Sequence, residues 1–246
     1  LWDITKDSAL DMFDKFRPDL LITQTYNVTQ GLIECIQNNP RMKVIMKGSD
    51  WSKFSDELDK RIFPVLCAQE EEIKRIDKLK NTTGKPDFID IHYMQDSMDI
   101  THEYWNKKMG IKLVSLLNAA DIFNFTNGVS KPEYESDICF IGGRWGYKSQ
   151  SIDVYIFPLL TNLGEYRIKI FGNSNWGVSQ YCGHIRDDEA KHALASAKIC
   201  PNISEPHSQV YGYDIIERPY KILANKCFCI SDYVFDLSRL FNNNEI

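Results

Sequence analysis

Two basic side chains follow a pair of glycines in the segment DICFIGGRWGYKSQ, residues 137–150. The apolar run DICFI is typical of a strand, and Gly142 and Gly143 let the backbone turn tightly after it and approach a ligand. Arg144 and Lys148 lie four residues apart, where a helix would begin. A helix N-terminus beside two cations attracts anions. The pattern predicts a diphosphate site, with solvated surface charges as the alternative.

The segment FGNSNWG, residues 171–177, is a second candidate ligand loop. Gly172 and Gly177 permit close backbone approach, while Asn173 and Trp176 offer hydrogen bonds and a flat ring to a nucleotide base or a sugar. A plain polar connection between a strand and a helix explains the same residues equally well.

A third candidate is NISEPHSQVYGYDIIERP, residues 202–219, which is predicted to be a long loop after a strand. Long loops at strand ends often carry function. Its polar and aromatic residues include Glu205, His207 and Tyr213. Before it, His184 in YCGHIRDDE could donate a hydrogen bond to a phosphate or a sugar. For both histidines, a structural or merely exposed role is the alternative.

Several common catalytic patterns do not occur in the sequence. There is no G-x-S-x-G, Walker loop, H-E-x-x-H or G-x-G-x-x-G, which argues against the commonest hydrolases, nucleoside triphosphatases, zinc proteases and dehydrogenases. His92 and His102 lie ten residues apart, which is not a metal-ligand spacing. No metal site is therefore predicted.

The composition limits the function classes further. The net charge is -5 and no block of lysines or arginines occurs, which argues against nucleic acid as a main partner. No apolar run reaches the roughly 20 residues that cross a bilayer, so no transmembrane segment is predicted. The seven cysteines include no C-x-x-C pair and favour free thiols in a reducing compartment, hence the cytoplasm, over disulfides or a metal site. Because the chain begins with Leu1 and stops at FNNNEI, we expect a fragment.

Apolar runs alternate with helical patterns along the chain. Strands are predicted at 19–25, 43–50, 61–69, 88–93, 111–117, 137–143, 166–173, 198–204 and 227–231. Helices are predicted within 8–19, 27–39, 70–80, 98–110, 151–164, 187–197 and 217–224. This alternation predicts an α/β fold with parallel sheets, in which ligands bind at the carboxyl ends of strands. Turn residues between Phe125 and Ser136 predict two domains, 1–130 and 131–246.

The order of these segments in the second half resembles the C-terminal domain of group 1 glycosyltransferases, in the CgeB-like (spore maturation protein) branch. The matching segments are FIGGRWGYKS, IKIFGNSNWG, YCGHIRDDE, ASAKICPNIS and ERPYKILANKCFCIS. They cover residues 136–241, whereas RPDLLI and IKLVSLLNAADIFNF match the family's first domain more loosely. The resemblance implies a GT-B fold, in which two Rossmann-like domains face each other across a cleft.

The resemblance also implies a reaction, the transfer of a sugar (hexosyltransferase type) from a nucleotide-sugar donor to an unknown acceptor, which could be a glycan, a protein or a small molecule. Basic side chains would replace a metal, and no cofactor is expected. His184 and Glu217 are the candidate catalytic residues. The candidate donor-binding and phosphate-binding residues are Gly142, Gly143, Arg144, Lys148, Gly172, Asn173, Trp176, Glu205, His207, Tyr213, Arg218 and Lys221.

Two positions depart from the family pattern. Lys221 occupies the position of the glutamate in R-x-F-E, and Lys226 that of the glycine before the last strand. Glu217, four residues before Lys221, would either supply the missing carboxylate or pair with Lys221 on the helix surface. These departures leave open a catalytically inactive GT-B-like protein that binds a sugar, a nucleotide or a partner. Another GT-B enzyme, such as a nucleotide-sugar epimerase, is a further alternative.

Overall fold

A computed structural model describes residues 8–24, 27–47, 70–84, 87–90, 94, 110, 113–161, 166–242 and 244–246. The chain divides into two compact units, Leu1–Leu117 and Asn118–Ile246. This division falls before the segment in which the sequence places the boundary. In the part of the chain that is described, every helix falls short of the length and apolarity that a membrane span needs.

The first unit contains a four-stranded parallel sheet. The strands β1 (Leu20–Gln24), β2 (Lys43–Lys47), β3 (Asp87–Asp90) and β4 (Leu113–Ser115) lie side by side in chain order. The helices are α1 (Ala9–Phe16), α2 (Gln30–Asn38) and α3 (Glu70–Thr83). Thr29 caps α2, since its hydroxyl accepts a hydrogen bond from the Leu32 N–H at 3.2 Å. The predicted strand 61–69 and, apart from Gly110, the predicted helix 98–110 lie outside the described residues.

The second unit contains another four-stranded parallel sheet, in a different order. Its strands are β5 (Ser136–Ile141), β6 (Ile168–Phe171), β7 (Ala197–Asn202) and β8 (Cys229–Ser231), and their order across the sheet is β6-β5-β7-β8. Its helices are α4 (Ser149–Thr161), α5 (Asp187–Ala195), α6 (Pro206–Tyr211), α7 (Arg218–Ala224) and α8 (Phe235–Leu240). The predicted parallel α/β architecture is confirmed in both units.

Apolar side chains cover both faces of the second sheet because successive residues of a strand point to opposite sides. In β5, Ile138 and Phe140 pack with residues of α4 and with Trp176 on one face. Cys139 and Ile141 pack on the other face, against residues of α5 and α7. The second unit is therefore a three-layer sandwich with helices on both sides of a parallel sheet.

Two short helices of the second unit were not predicted. The prediction of one long loop at 202–219 is wrong at its centre, because Pro206 begins α6 and Gly212 ends it with a left-handed φ of 78°. Proline at the first helical position and glycine just past the end are the usual boundaries of a helix. Helix α8, at Phe235–Leu240, follows the last predicted strand.

Candidate functional site

The strand order of the second unit fixes where a ligand is expected. From β5 the chain crosses to β6 on one side, and from β6 it returns past β5 to β7 on the other. In doubly wound sheets, the carboxyl ends of two strands separated in this way form a crevice that binds ligands. A cavity of about 230 Å³ opens at the end of β5, lined by Gly142, Gly143 and residues of α5 and α7.

The cavity has an apolar wall and a charged rim. Its apolar lining includes Phe125, Ile141, Ile185, Leu194, Ile216 and Ile222. Its charged lining consists of Lys148, Asp187, Glu217, Arg218 and Lys221. Three cations and two carboxylates around an apolar pocket suit a ligand that is anionic at one end and apolar at the other.

Arg218 joins the ends of the two strands that flank the crevice. Its Nε donates to the carbonyl of Ile141, at the end of β5, at 3.1 Å. Its Nη1 donates at 2.9 Å to the carbonyl of Ile203, just past β7. The guanidinium also lies over the ring of Phe140, 4.8 Å from the centroid. These contacts hold Arg218 in one position, so that it presents a fixed cation to the cavity.

Burial and nearby carboxylates act on Arg218 in opposite directions. Burial lowers the pKa of its guanidinium, whereas the charges of Glu205, Asp232 and Glu217 raise it. Because an arginine side chain stays protonated in proteins, Arg218 remains a cation at the strand ends.

Lys221 lies one turn along α7 from Arg218 and has two partners. Its Nζ is 2.7 Å from a carboxylate oxygen of Glu217, and it lies over the Phe125 ring at 4.7 Å from the centroid. The Glu217 side chain is 62% exposed. This pair is therefore a solvent-screened contact that another anion could replace at small cost.

Lys148 reaches the cavity from the segment before α4 and pairs with Glu205, the residue before α6. The distance between its Nζ and the Glu205 carboxylate is 2.9 Å, and the two side chains are 17% and 10% exposed. This ion pair is the more buried of the two on the charged rim.

Gly172 has a packing role at the end of β6. A Cβ atom at this position would lie much closer to the Gly142 carbonyl oxygen than van der Waals contact allows. Its own carbonyl accepts a hydrogen bond from the Tyr181 hydroxyl at 2.8 Å. Glycine at this position lets β6 lie against the turn that follows β5.

Arg144 points to α4, although it precedes Lys148 by only four residues. Asp153 binds its guanidinium in a bidentate pair, with Nε and Nη2 contacts of 2.9 and 2.7 Å. The hydrogen bond to Asp153 raises the pKa of Arg144. The guanidinium also lies over the Phe157 ring, 5.2 Å from the centroid.

Trp176 and His207, two of the candidate donor-binding residues, are core side chains. Trp176 is 3% exposed and packs edge-on against Phe140, with ring centroids 5.4 Å apart. His207 is 1% exposed and lies between the Tyr147 hydroxyl, 3.0 Å from its Nδ1, and the Asp214 carboxylate at its Nε2. Asp214 adopts a left-handed φ of 78°.

The remaining candidates lie on the surface around these elements. Asn173 and His184 are exposed, and His184 precedes Ile185 of the cavity wall. Tyr213 packs edge-on against Phe235 at 6.3 Å between ring centroids. The structure thus brings together Gly142, Gly143, Lys148, Glu217, Arg218 and Lys221 around the cavity. It places Arg144, Gly172, Asn173, Trp176, His184, Glu205, His207 and Tyr213 outside the cavity lining.

The sequence analysis missed most of the apolar lining of the cavity and one of its carboxylates. Ile185 and Asp187 belong to YCGHIRDDE, where attention fell on His184. Phe125 is almost 100 residues from α7 in sequence, so no local pattern could associate it with Lys221.

Lys226 adopts a left-handed φ of 57°. Glycine tolerates this conformation better than any other residue. Glycine is also the residue that the resembled family carries at this position. The backbone of the last turn therefore fits the family pattern, although the side chain departs from it.

In the described parts of the chain, no group of three or more His, Cys, Asp or Glu side chains is arranged to hold a metal ion. Lys148, Arg218 and Lys221 could stabilise a developing phosphate anion, and Asp187 or Glu217 could accept a proton or a hydrogen bond.

A family model described as glycosyl transferase-like matches residues 155–246. The matched segment contains Glu217, Arg218 and Lys221, and it begins after the Gly142–Lys148 segment. No curated protein matches this chain. The match supports a glycosyltransferase family and, together with the parallel sheets, a Rossmann-like glycosyltransferase domain.

Proposed function

We propose that the protein transfers a hexose from a nucleoside diphosphate sugar to an acceptor, and that the donor binds in the cavity of the second unit. The observation that carries the proposal is the convergence of Lys148, Arg218 and Lys221 on one cavity at the switch point of a parallel sheet. The donor's diphosphate would lie against these cations. Its base or sugar would lie against the apolar wall.

The contacts of the three cations support different roles in this binding. Arg218 is fixed by two carbonyls and an aromatic ring, so it would orient the bound diphosphate. Lys221 would exchange its exposed Glu217 partner for a phosphate oxygen. Lys148 would add charge from the opposite side while Glu205 holds it. Together they would stabilise the departing nucleoside diphosphate without a metal.

The two candidate catalytic residues keep their proposed roles. Glu217 has an exposed carboxylate at the cavity rim, where it would contact the donor sugar or ribose once Lys221 turns to phosphate. His184 is exposed next to the cavity wall and would donate a hydrogen bond to the sugar or phosphate.

The acceptor would bind against the first unit in a GT-B arrangement, as the CgeB-like resemblance implies. The six described cysteines are free thiols, which fits action in the cytoplasm.

Calorimetric titration with UDP, GDP, dTDP and their sugar conjugates tests the proposal. We expect at least one of these compounds to bind, and Lys221→Ala to weaken its binding at least about tenfold, the value of one charge-assisted hydrogen bond. Lys198→Ala is the matched control, because Lys198 is 74% exposed and pairs with Asp137 on β5. Failure of every nucleotide to bind the intact protein, or equal losses in the two variants, would contradict the proposal.

A second function, binding of the nucleotide sugar without transfer, is favoured by one observation. Lys221 stands where the resembled family has a glutamate, and here it is paired with Glu217. Assaying release of the nucleoside diphosphate from whichever donor binds separates the two functions. Release that Glu217→Gln abolishes favours the transferase, whereas binding without any release favours the binding protein.

A further inference from the structure

A network of three buried polar side chains begins at the residue next to Lys148. Tyr147, His207 and Asp214 are 3%, 1% and 2% exposed. The Tyr147 hydroxyl lies 3.0 Å from Nδ1 of His207, and the Asp214 carboxylate is bonded to Nε2 on the other side of the ring. The hydroxyl of Ser208 donates to the same carboxylate at 3.3 Å. Because burial of polar groups is costly unless they bond to one another, this network indicates a role beyond packing.

The hydrogen bonds of the network have a definite direction. An ionised Asp214 carboxylate can only accept, so Nε2 of His207 carries a proton and donates it. In the neutral ring, Nδ1 then accepts the proton of the Tyr147 hydroxyl. The Tyr147 oxygen accepts in turn from the backbone N–H of His207 at 3.0 Å. The two rings are also stacked, with centroids 5.8 Å apart. Tyr147 is therefore held by His207 through three contacts.

Asp214 adopts a backbone conformation that most residues avoid. Its φ of 78° is left-handed, and a side chain other than that of glycine adopts this conformation at a cost. Asp214 lies two residues after Gly212, which ends α6, and its carboxylate receives hydrogen bonds from two residues of that helix. Such conformations persist where surrounding contacts require them, and they are frequent beside functional sites.

The network is joined to the cavity through Lys148. Tyr147 precedes Lys148, and His207 lies two residues after Glu205, which pairs with the Lys148 Nζ at 2.9 Å. The Tyr147 carbonyl also accepts from the Gln150 N–H at 3.2 Å, in the turn that leads into α4. Two adjacent contacts therefore fasten this turn to the start of α6. One of them fixes the backbone from which Lys148 extends, and the other fixes its charge.

We infer that His207 is a positioning residue of the donor site, because it holds Tyr147 and Tyr147 places the Lys148 cation at the cavity. The inference rests on the proposed function, in which Lys148 contacts the diphosphate of the donor. Tyr147, His207 and Asp214 lie outside the cavity lining, so they act on a ligand through Lys148. A lysine that is already fixed loses less freedom when phosphate binds, and this raises the affinity.

Tyr147→Phe tests the inference, because it removes the hydroxyl and keeps the ring. We expect the nucleoside diphosphate that binds the unchanged protein to bind this variant about fivefold more weakly, the effect of one lost hydrogen bond. Tyr134→Phe is the matched control, since its hydroxyl donates to Glu189 in α5 at 3.2 Å, outside the cavity lining. In a Lys148→Met background, Tyr147→Phe should change the affinity less than about 1.5-fold, because the cation that it places is gone.

Two replacements of His207 separate a positioning role from a purely structural one. The amide of His207→Asn reaches the place of Nδ1 and can keep the contact with Tyr147, whereas the amide of His207→Gln reaches the place of Nε2 and can keep the contact with Asp214. We expect the asparagine variant to bind nucleotide more tightly than the glutamine variant. Urea unfolding of both variants shows that the folded state is retained. Equal losses of affinity would assign His207 to stability alone.

Acetylation of Lys148 provides a measurement that needs no ligand. Its side chain is 17% exposed and paired, and we expect acetic anhydride to modify it at least about threefold faster in Tyr147→Phe, because the turn that carries it opens more often. Lys198, whose side chain is 74% exposed, should react at an unchanged rate and is the internal reference. Mass spectrometry of the digested protein measures both rates.

The outcomes separate this inference from the proposed function. If every nucleotide fails to bind the unchanged protein, the proposed function is wrong and the role of His207 in donor binding is wrong with it. If a nucleotide binds, three results would overturn the inference alone: an unchanged affinity in Tyr147→Phe, an equal effect of this substitution without Lys148, or an unchanged rate of Lys148 acetylation.

Discussion

Lys148 and Glu205 form an ion pair of 2.9 Å that is largely withdrawn from water. Lys148 belongs to the segment that follows β5, and Glu205 is the residue before α6. The pair therefore joins the loops that leave the two strands flanking the crevice. Its strength bears both on the stability of the second unit and on the charge available in the cavity.

Removing the cation of this pair should destabilise the protein. Lys148→Met leaves the Glu205 carboxylate buried without a partner, and we expect a loss of about 2 kcal/mol, below the roughly 3–5 kcal/mol of fully buried pairs because both side chains retain some exposure. The double variant Lys148→Met/Glu205→Gln should recover more than half of this loss. Urea unfolding of the unchanged protein and the two variants measures both effects. A loss below about 0.5 kcal/mol in the single variant would contradict this prediction, because a loss that small is typical of a solvent-exposed ion pair.

Gly172 should tolerate no side chain. Gly172→Ala drives a methyl group into the Gly142 carbonyl, and because backbone cannot move aside cheaply, we expect a loss of about 3 kcal/mol. Gly146→Ala is the control, since no atom lies within 4 Å of the added methyl. It should change stability by less than about 1 kcal/mol. Thermal unfolding of both variants checks the difference, and similar melting temperatures would refute it.

Trp176 should act on stability and not on nucleotide binding. Trp176→Phe keeps an aromatic ring against Phe140 and removes an indole N–H that has no hydrogen-bond partner in the described structure, so we expect a loss of at most about 2 kcal/mol. Trp176→Ala should cost about 3–5 kcal/mol. Urea unfolding and nucleotide titration are measured on the same samples. A folded Trp176→Phe protein with weakened nucleotide binding would put the indole in the ligand site.

Asp137 should make stability depend on pH in the acid range. Its carboxylate accepts hydrogen bonds from Lys198 Nζ, at 2.7 Å, and from the Arg167 N–H, at 2.7 Å, and these lower its pKa. Because the folded state then binds its proton less readily than the unfolded state, the stabilisation is complete above a pH of about 4. It is lost as the pH falls through the lower pKa of the folded state.

Asp137→Asn should therefore melt at a lower temperature than the unchanged protein at pH 7, and the difference should vanish at the acid end of a series from pH 7 to pH 2.5. Thermal unfolding across that series is the measurement. Lys198→Ala removes the main cause of the low pKa of Asp137. This variant should therefore also reduce the dependence of the melting temperature on pH. A difference that stays constant with pH would exclude the carboxylate as its source.

The sequence predicted the architecture because each local pattern agrees with the fold. Successive residues of β5 point to the two apolar faces of the sheet, and the predicted helices 187–197 and 217–224 correspond to α5 and α7. The order β6-β5-β7-β8 could not be predicted, since it depends on which side of β5 each crossover passes. Helix α6 was missed because only Pro206 and Gly212 mark it.

The sequence predicted part of the site, namely the cations that lie near strand ends. Lys148 follows β5, and Arg218 and Lys221 lie in α7, which comes after β7. Because β5 and β7 are parallel neighbours, their carboxyl ends lie at one edge of the sheet, and the topology brings the three side chains together. Arg144 and His207 are also basic residues, but their side chains are held outside the cavity. Their partners, Asp153 and Tyr147, lie 9 and 60 residues away, and no local pattern specifies those distances.

Asn225 has a consequence for how the protein is made. It accepts from the Gly128 N–H at 2.8 Å, a contact that spans 97 residues of the chain. A chain that leaves the ribosome from its N-terminus exposes Phe125 long before Asn225 emerges to fasten the neighbouring segment. The Phe125 side of the cavity is therefore completed late in synthesis. A nascent chain halted before Asn225 would display an apolar surface that a chaperone can recognise.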